Sequence, residues 1–261
     1  MTWPSDSSGD PASHAPAVRA PVRPPLRSAP RLRAALQVLL CSGIPTQMLL
    51  IQVLAAFGHQ PFLDGGRLNI TWIVAVSIAD TALLVSLVLL LLHVEGESPR
   101  EVFLGHRHPL REIPLGLATV IPLLLITAAL IHGVRELAPW LHNVPVNPFA
   151  QLLDSPANAW LFAVVALIGG GVREEIQRAF LLTRFEQHLG GATVGLVVTS
   201  IAFGLGHVIQ GLDAGIATGT LGLAWGAMYL WRRSALAPIA SHAGFNALEI
   251  VRYLVLGPGT V

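Results

Sequence analysis

Charged and amide side chains lie inside apolar stretches in the second half of the chain. The run Arg-Glu-Glu-Ile-Gln-Arg over 173–178 directly follows three glycines and precedes an apolar stretch. An ionisable group in hydrocarbon costs at least about 2.5–3.5 kcal/mol at the bilayer centre, so it usually faces an interior cavity. Glu174 and Arg178 are four residues apart and can pair on one helix face. Glu175 lies about 100° round the helix and is then available separately. A charged helix end at the membrane surface is the alternative interpretation.

Two further polar groups follow at regular spacing. His207 ends a Phe-Gly-Leu-Gly-His run that begins at Phe203, inside an apolar stretch. His242, Asn246 and Glu249 lie at positions i, i+4 and i+7, one stripe of a helix. An imidazole and an amide on one stripe can donate to a single oxygen, as an oxyanion hole requires. Each group alone also fits packing or interhelical hydrogen bonds. Together they supply a base, proton carriers and oxyanion donors for attack of water on an amide.

The composition predicts a membrane protein. Hydrophobic residues make up 53% of the 261 residues and charged residues 12%, about half the charged fraction of a soluble domain. All 16 basic residues are arginine and lie between apolar blocks, which argues against a nucleic-acid surface. The single cysteine, Cys41, excludes an intramolecular disulfide and a multi-cysteine zinc site.

Apolar runs predict an all-α, polytopic transmembrane bundle of seven spans, each of which needs about 20 residues. They lie near 33–57, 70–93, 113–132, 157–182, 192–209, 214–231 and 235–256. An eighth span follows if part of 136–156 re-enters the membrane. Residues 1–30, rich in Pro and Arg, are expected to be a disordered tail, and 31–261 a membrane-embedded helical domain.

Arginine placement predicts the orientation of the bundle. Arginines cluster before the first span, between the second and third, and after the sixth, while the intervening loops hold few. The positive-inside rule then places the N-terminus in the cytoplasm. In the sixth span, small residues at steps of four and three predict a close-packing face made of Gly211, Gly215, Gly219, Gly222 and Gly226. Asp80, in mid-span, is expected to face the bundle interior as a hydrogen-bonded packing residue.

The ordered motifs resemble those of the CPBP intramembrane protease family, also called the Abi or type II CAAX prenyl endopeptidase family. Its signature is Glu-Glu-x-x-x-Arg, then Phe-x-x-x-His, then His-x-x-x-Asn, each on its own transmembrane helix. Phe203 to His207 fits the second motif and His242 to Asn246 the third, and the resemblance covers about 157–256. In the first motif the arginine comes one residue early, since position 179 is alanine and Arg178 precedes it.

The resemblance implies a role for each matching residue. Glu174 and His207 would activate a water molecule for attack on a peptide bond. His242 and Asn246 would stabilise the oxyanion, and Glu175 and Arg178 would support and orient the site. The implied substrate is a membrane-embedded or lipid-anchored protein or peptide in the bilayer, and no cofactor is expected.

Three alternatives remain open. The two glutamates and two histidines could hold Zn²⁺, although the His-Glu-x-x-His helix of metalloproteases is absent. The shifted arginine leaves room for a catalytically silent membrane scaffold or a protein of the bacteriocin-immunity type. A small proton-coupled transporter ranks last, because the first three spans carry few charges and no inverted repeat is visible.

Overall fold

The structure, a computed structural model, describes residues 29–257, and its regular elements are helices. No strand occurs in this described range, which confirms the predicted all-α class. The predicted disordered tail over 1–30 lies outside the described residues except for its last two positions, which begin the first helix.

Six α-helices precede a connecting segment, and five follow it. The first six are α1 (Ala29–Leu40), α2 (Ile44–Ala56), α3 (Ile70–Glu95), α4 (Pro99–Phe103), α5 (Pro109–Ala118) and α6 (Val120–Leu137). The segment contains two short 3-10 helices, Pro139–Leu141 and Pro148–Leu153. The remaining five are α7 (Pro156–Val165), α8 (Glu174–His188), α9 (Ala192–Gly206), α10 (Leu212–Arg232) and α11 (Leu236–Leu256). A π-helical segment, Ala166–Arg173, joins α7 to α8, and a 3-10 turn, Val208–Gln210, follows α9.

Fewer helices than predicted are long and apolar enough to cross a membrane. Among the described residues, α3 qualifies, as do α5 and α6 taken together over Pro109–Leu137. The pair α1 and α2, bent by 42°, makes a third if it forms one broken span. The expected seven or eight spans are therefore not confirmed. α9 has only 15 residues, and glycines and threonines lower the hydropathy of α10.

Side-chain and glycine caps set the ends of the longest helix, α3. The Asn69 side chain accepts hydrogen bonds from the backbone N–H groups of Thr71 and Trp72 at 3.1 and 3.3 Å, which satisfies two free donors of the first turn. At the other end Gly96 adopts a φ of +70°, a left-handed conformation that glycine tolerates best. These caps define a 26-residue helix with Asp80 near its middle.

The predicted glycine face of α10 packs directly on α9. A Cβ atom built on Gly204 of α9 would lie 2.6 Å from the carbonyl oxygen of Gly215 and 3.2 Å from Cα of Gly219. A Cβ on Gly222 would lie 3.0 Å from the Phe203 ring. Backbone contact this close needs glycine at both surfaces, so the packing interpretation is confirmed for Gly215, Gly219 and Gly222. Gly211 was wrongly included in this face, since it precedes α10 and lies near Asp213 and Val144. This packing brings the helix of Phe203 onto α10.

Helix α11 is held between α5 and the π-helical segment by two similar close approaches. A Cβ on Gly116 of α5 would lie 2.2 Å from the carbonyl oxygen of Ala237, and one on Gly171 would lie 2.7 Å from Cβ of Ala243. The same face of α11 carries His242 and Asn246, which are thereby placed beside the π-helical segment.

The α9–α10 contact gives a test of the fold. Gly204→Ala should lower the melting temperature in detergent, because its methyl group meets backbone that cannot move aside, and such overpacking costs about 1–3 kcal/mol. Gly206→Ala is the matched control on the same helix, since its Cβ has no neighbour within 4 Å. Equal melting temperatures for the two variants would contradict the described packing.

Candidate active site

A cavity of about 1000 Å³ lies within the bundle and collects most of the predicted site residues. Helices α3, α6, α7, α9, α10 and α11, the π-helical segment and the segment before α7 all contribute to its wall. Four of the six predicted residues line it: Glu174, His207, His242 and Asn246. The cavity is large enough for a stretch of peptide rather than for one water molecule alone.

Glu174 opens α8 directly after the π-helical segment and presents its carboxylate to the cavity. Its side chain is 22% exposed. Oε1 lies 3.9 Å from Arg173 Nη1, and Oε2 lies 3.9 Å from His242 Nε2. Both separations are too long for hydrogen bonds, although they allow electrostatic attraction. The carboxylate therefore remains accessible from the cavity.

Glu175 is buried behind this wall and holds two partners. Its Oε1 accepts a hydrogen bond from Arg178 Nη1 and lies 2.8 Å from His242 Nδ1. Only 2% of Glu175 and 4% of Arg178 is exposed. The predicted pairing of Glu174 with Arg178 is therefore wrong. Spacings of three and four residues both allow contact on a helix, and the buried carboxylate needs a counter-charge that the cavity-facing one does not.

The early position of the arginine leaves this contact in place. Position 179, where the family motif has its arginine, holds Ala179, which is 1% exposed. Arg178 reaches Glu175 over three residues, and its guanidinium carbon lies 4.5 Å from the centre of the Phe203 ring. Glu175, the second glutamate of the motif, thus keeps Arg178 as a buried partner, and the Phe203 ring packs against that cation.

Two aromatic side chains fix the orientation of His242. Its ring stacks on Trp225 of α10, with centroids 3.7 Å apart and planes 13° apart, and Phe203 meets it edge-on at 6.0 Å. Trp225 Nε1 donates to Ser241 Oγ at 3.0 Å. Sequence reasoning missed Trp225, because α10 was interpreted only as a packing helix. The one available signal was a bulky indole between Gly222 and Gly226.

His207 closes α9 and has a defined tautomer. Its Nδ1 lies 2.8 Å from the carbonyl oxygen of Phe203, an acceptor, so Nδ1 carries the proton and donates. A neutral ring then keeps the lone pair of Nε2 for a proton from a cavity group. The rings of Phe203 and His207 are 4.7 Å apart at their centroids.

Asn246 and Glu249 differ in their surroundings, although both line the cavity. Asn246 Nδ2 donates to the carbonyl oxygen of Ala166 at 2.9 Å, and a Cβ on Gly170 would lie 2.6 Å from that nitrogen. The other amide hydrogen of Asn246 remains for a second acceptor. Glu249 instead forms an ion pair with Arg252 at 3.0 Å on its own helix. The predicted stripe therefore contributes His242 and Asn246 to the site.

The residues that could hold a metal ion do not form a cluster of ligands. Within residues 29–257, no group of three or more His, Cys, Asp or Glu side chains is arranged to hold one. Of the four groups considered for zinc, Glu175 already shares one oxygen between Arg178 and His242.

A comparison with known protein families finds a match over about a third of the chain, and that third carries the predicted site residues. Residues 156–248 match the family model described as type II CAAX prenyl endopeptidase Rce1-like. The matched stretch contains all six predicted site residues. This match supports the resemblance to the CPBP family. The Rce1-like family is a family of proteases, and the match together with the apolar helices supports a peptidase in a membrane. No curated protein and no solved structure matches the chain.

The buried ion pair of Glu175 and Arg178 gives a stability prediction. Arg178→Gln should destabilise the protein by about 3–5 kcal/mol, because it leaves the Glu175 charge buried without its arginine. The double variant Glu175→Gln/Arg178→Gln removes both charges and should melt at a higher temperature than the single variant. Thermal unfolding in detergent measures both. A double variant as unstable as Arg178→Gln would show that the pair does not compensate charge.

Proposed function

We propose that the chain is a CPBP-type intramembrane endopeptidase. It hydrolyses a peptide bond of a membrane-embedded or lipid-anchored protein or peptide with water activated by glutamate and histidine. One observation carries the proposal: a single cavity is lined by four residues of the family-matched segment, which come from α8, the end of α9 and α11. They are Glu174, His207, His242 and Asn246.

Glu174 and His207 are assigned to the activation of water. The Glu174 carboxylate faces the cavity without a hydrogen-bonding cation at either oxygen. The Phe203 carbonyl holds His207 in the tautomer whose Nε2 accepts a proton. Water placed between the two groups loses a proton to one of them as its oxygen attacks the substrate carbonyl. The proton then passes to the leaving amine.

Asn246 and His242 are assigned to the oxyanion of the tetrahedral intermediate. One amide hydrogen of Asn246 is fixed on Ala166, which orients the other. His242 uses its Nδ1 hydrogen on Glu175, so its Nε2 donates to the oxyanion when the ring is an imidazolium. Glu175 and Arg178 act behind the site: the carboxylate sets the ring position, and the arginine compensates its charge.

The membrane arrangement belongs to the same proposal. Seven spans, or eight if the 136–156 segment re-enters, place the cavity within the bilayer and the N-terminus in the cytoplasm. The arginine-rich segments before α1, between α3 and α5, and after α10 support this orientation. The reaction is further proposed to need no metal ion, since the second glutamate is engaged by Arg178 and His242.

Cleavage of candidate membrane peptides in proteoliposomes tests the assigned roles. Glu174→Gln and His207→Ala should each reduce turnover at least about 100-fold, the loss typical of a general base. Glu186→Gln is the control, because Glu186 pairs with Arg233 at the protein surface. Wild-type turnover in Glu174→Gln would refute the catalytic assignment and favour the silent scaffold.

Gly170, which lies against Asn246, provides a second test of the assigned roles. Gly170→Ala should reduce kcat about 10-fold or more, because its methyl group displaces the Asn246 amide that is assigned to the oxyanion. The adjacent Gly169 also lines the cavity, but a Cβ there has no neighbour within 4 Å. Gly169→Ala should therefore retain much more turnover. Equal losses in both variants would separate Asn246 from the reaction.

Metal analysis of the purified protein tests the metal-free mechanism. We expect substoichiometric zinc and turnover that survives a strong chelator. Stoichiometric zinc, with turnover that is lost on its removal and regained on its return, would overturn this part of the proposal.

A further inference from the structure

An ion pair that joins Asp80, outside the family-matched segment, to Arg173, inside it, lies beside the candidate base Glu174. Asp80, near the middle of α3, accepts a hydrogen bond from Arg173 Nη2. Both side chains are buried, at 4% and 8% exposure, and both residues also contribute to the cavity wall. Arg173 is the residue immediately before Glu174, so this pair connects α3 to the start of α8.

The surroundings hold the Arg173 guanidinium in one place. The bend between α1 and α2 leaves room for it at Gly43, whose Cβ would lie 2.8 Å from Arg173 Nη2 and whose φ is +86°. Gln47 of α2 approaches the same Asp80 oxygen, Oδ2, at 3.5 Å. The other oxygen, Oδ1, has no hydrogen-bond partner among the described residues. Arg173 is therefore the group that compensates the Asp80 charge.

The same guanidinium is close enough to reach Glu174 if it were released. Arg173 Nη1 lies 3.9 Å from Glu174 Oε1, about 1 Å beyond a charge-assisted hydrogen bond. A guanidinium bonded to that oxygen would occupy the lone pairs that a base uses on water. Burial decides which carboxylate holds the arginine. The Asp80 side chain is 4% exposed and needs a counter-charge, whereas the Glu174 side chain is 22% exposed and reaches the cavity.

We propose that Asp80 is a positioning residue that retains Arg173 and so keeps the Glu174 carboxylate free to act on water. The catalytic consequence rests on the proposed function, whereas the competition between the two carboxylates for one arginine does not. Helix α3, which lies outside the family-matched segment, thereby becomes part of the active site's support.

The proposal predicts unequal effects from breaking one ion pair at its two ends. Asp80→Asn releases Arg173, which then binds Glu174, and should lower kcat about 10-fold or more with little change in KM, since displacement of a reacting group affects chemistry most. Arg173→Gln removes the competing cation and should retain more turnover than Asp80→Asn. The double variant Asp80→Asn/Arg173→Gln should recover most of what Asp80→Asn loses. Turnover is measured on the monodisperse, folded fraction of each variant.

A purely structural ion pair would behave differently. Both single variants would then lose the same contact, and kcat per folded protein would fall to a similar extent in the two. That result would overturn the proposal. Glu174→Gln, measured alongside, separates failure of the proposed function from failure of the Asp80 proposal. Full turnover in that variant refutes the proposed function itself, whatever the Asp80 variants do.

Chemical labelling tests the competition without reference to turnover. The oxygen of an accessible carboxyl group attacks the carbon of a membrane-permeant carbodiimide, and mass spectrometry measures the Glu174 adduct relative to the unmodified Glu174 peptide. Capture by Arg173 should reduce Glu174 labelling in Asp80→Asn about five-fold or more, because a guanidinium bonded to the carboxylate oxygens blocks their attack on the carbodiimide. The double variant should label like wild type. Unchanged labelling in Asp80→Asn would refute the inference.

Discussion

The Glu175 carboxylate is the group on which the rest of the site depends. It is buried in an apolar bundle, where a lone charge would be prohibitively costly, and it is stabilised by Arg178 on its own helix and His242 on α11. Through these two contacts it fixes the relative positions of α8 and α11. Trp225 then adds α10 by stacking on the same imidazole ring. The buried Glu175 charge thus orients His242, which the proposed function assigns to the oxyanion.

The site also depends on close contact between helix backbones at glycine, because polar side chains on separate helices meet only if those helices are close. The contacts of Gly204 with α10 and of Gly171 with α11 bring helix axes together where side chains would separate them. The cavity persists beside this tight packing. Helices α3, α6 and α7 contribute the remaining parts of the cavity wall.

The sequence was sufficient for the helical class and for the chemical groups of the site, since costly polar residues in apolar stretches identify an interior cavity. It could not decide which glutamate faces that cavity. Glu174 and Glu175 are adjacent, and the choice between them depends on how the π-helical segment turns the start of α8 and on where His242 lies. Trp225 and the Asp80–Arg173 pair were not predicted as site neighbours, because contacts between distant helices leave no spacing in the chain. The predicted seven or eight spans are not confirmed, since only two described helical stretches, or three with the bent pair, pass a test of length and hydropathy.

The three-residue contact between Glu175 and Arg178 has a consequence for how relatives of such proteins are recognised. On a helix, residues three and four positions apart are both neighbours, so an arginine at either position can bond the same glutamate. A sequence motif that requires a fixed number of residues between the glutamate and the arginine would reject this chain. A structural criterion that requires an arginine in contact with the second glutamate would accept it.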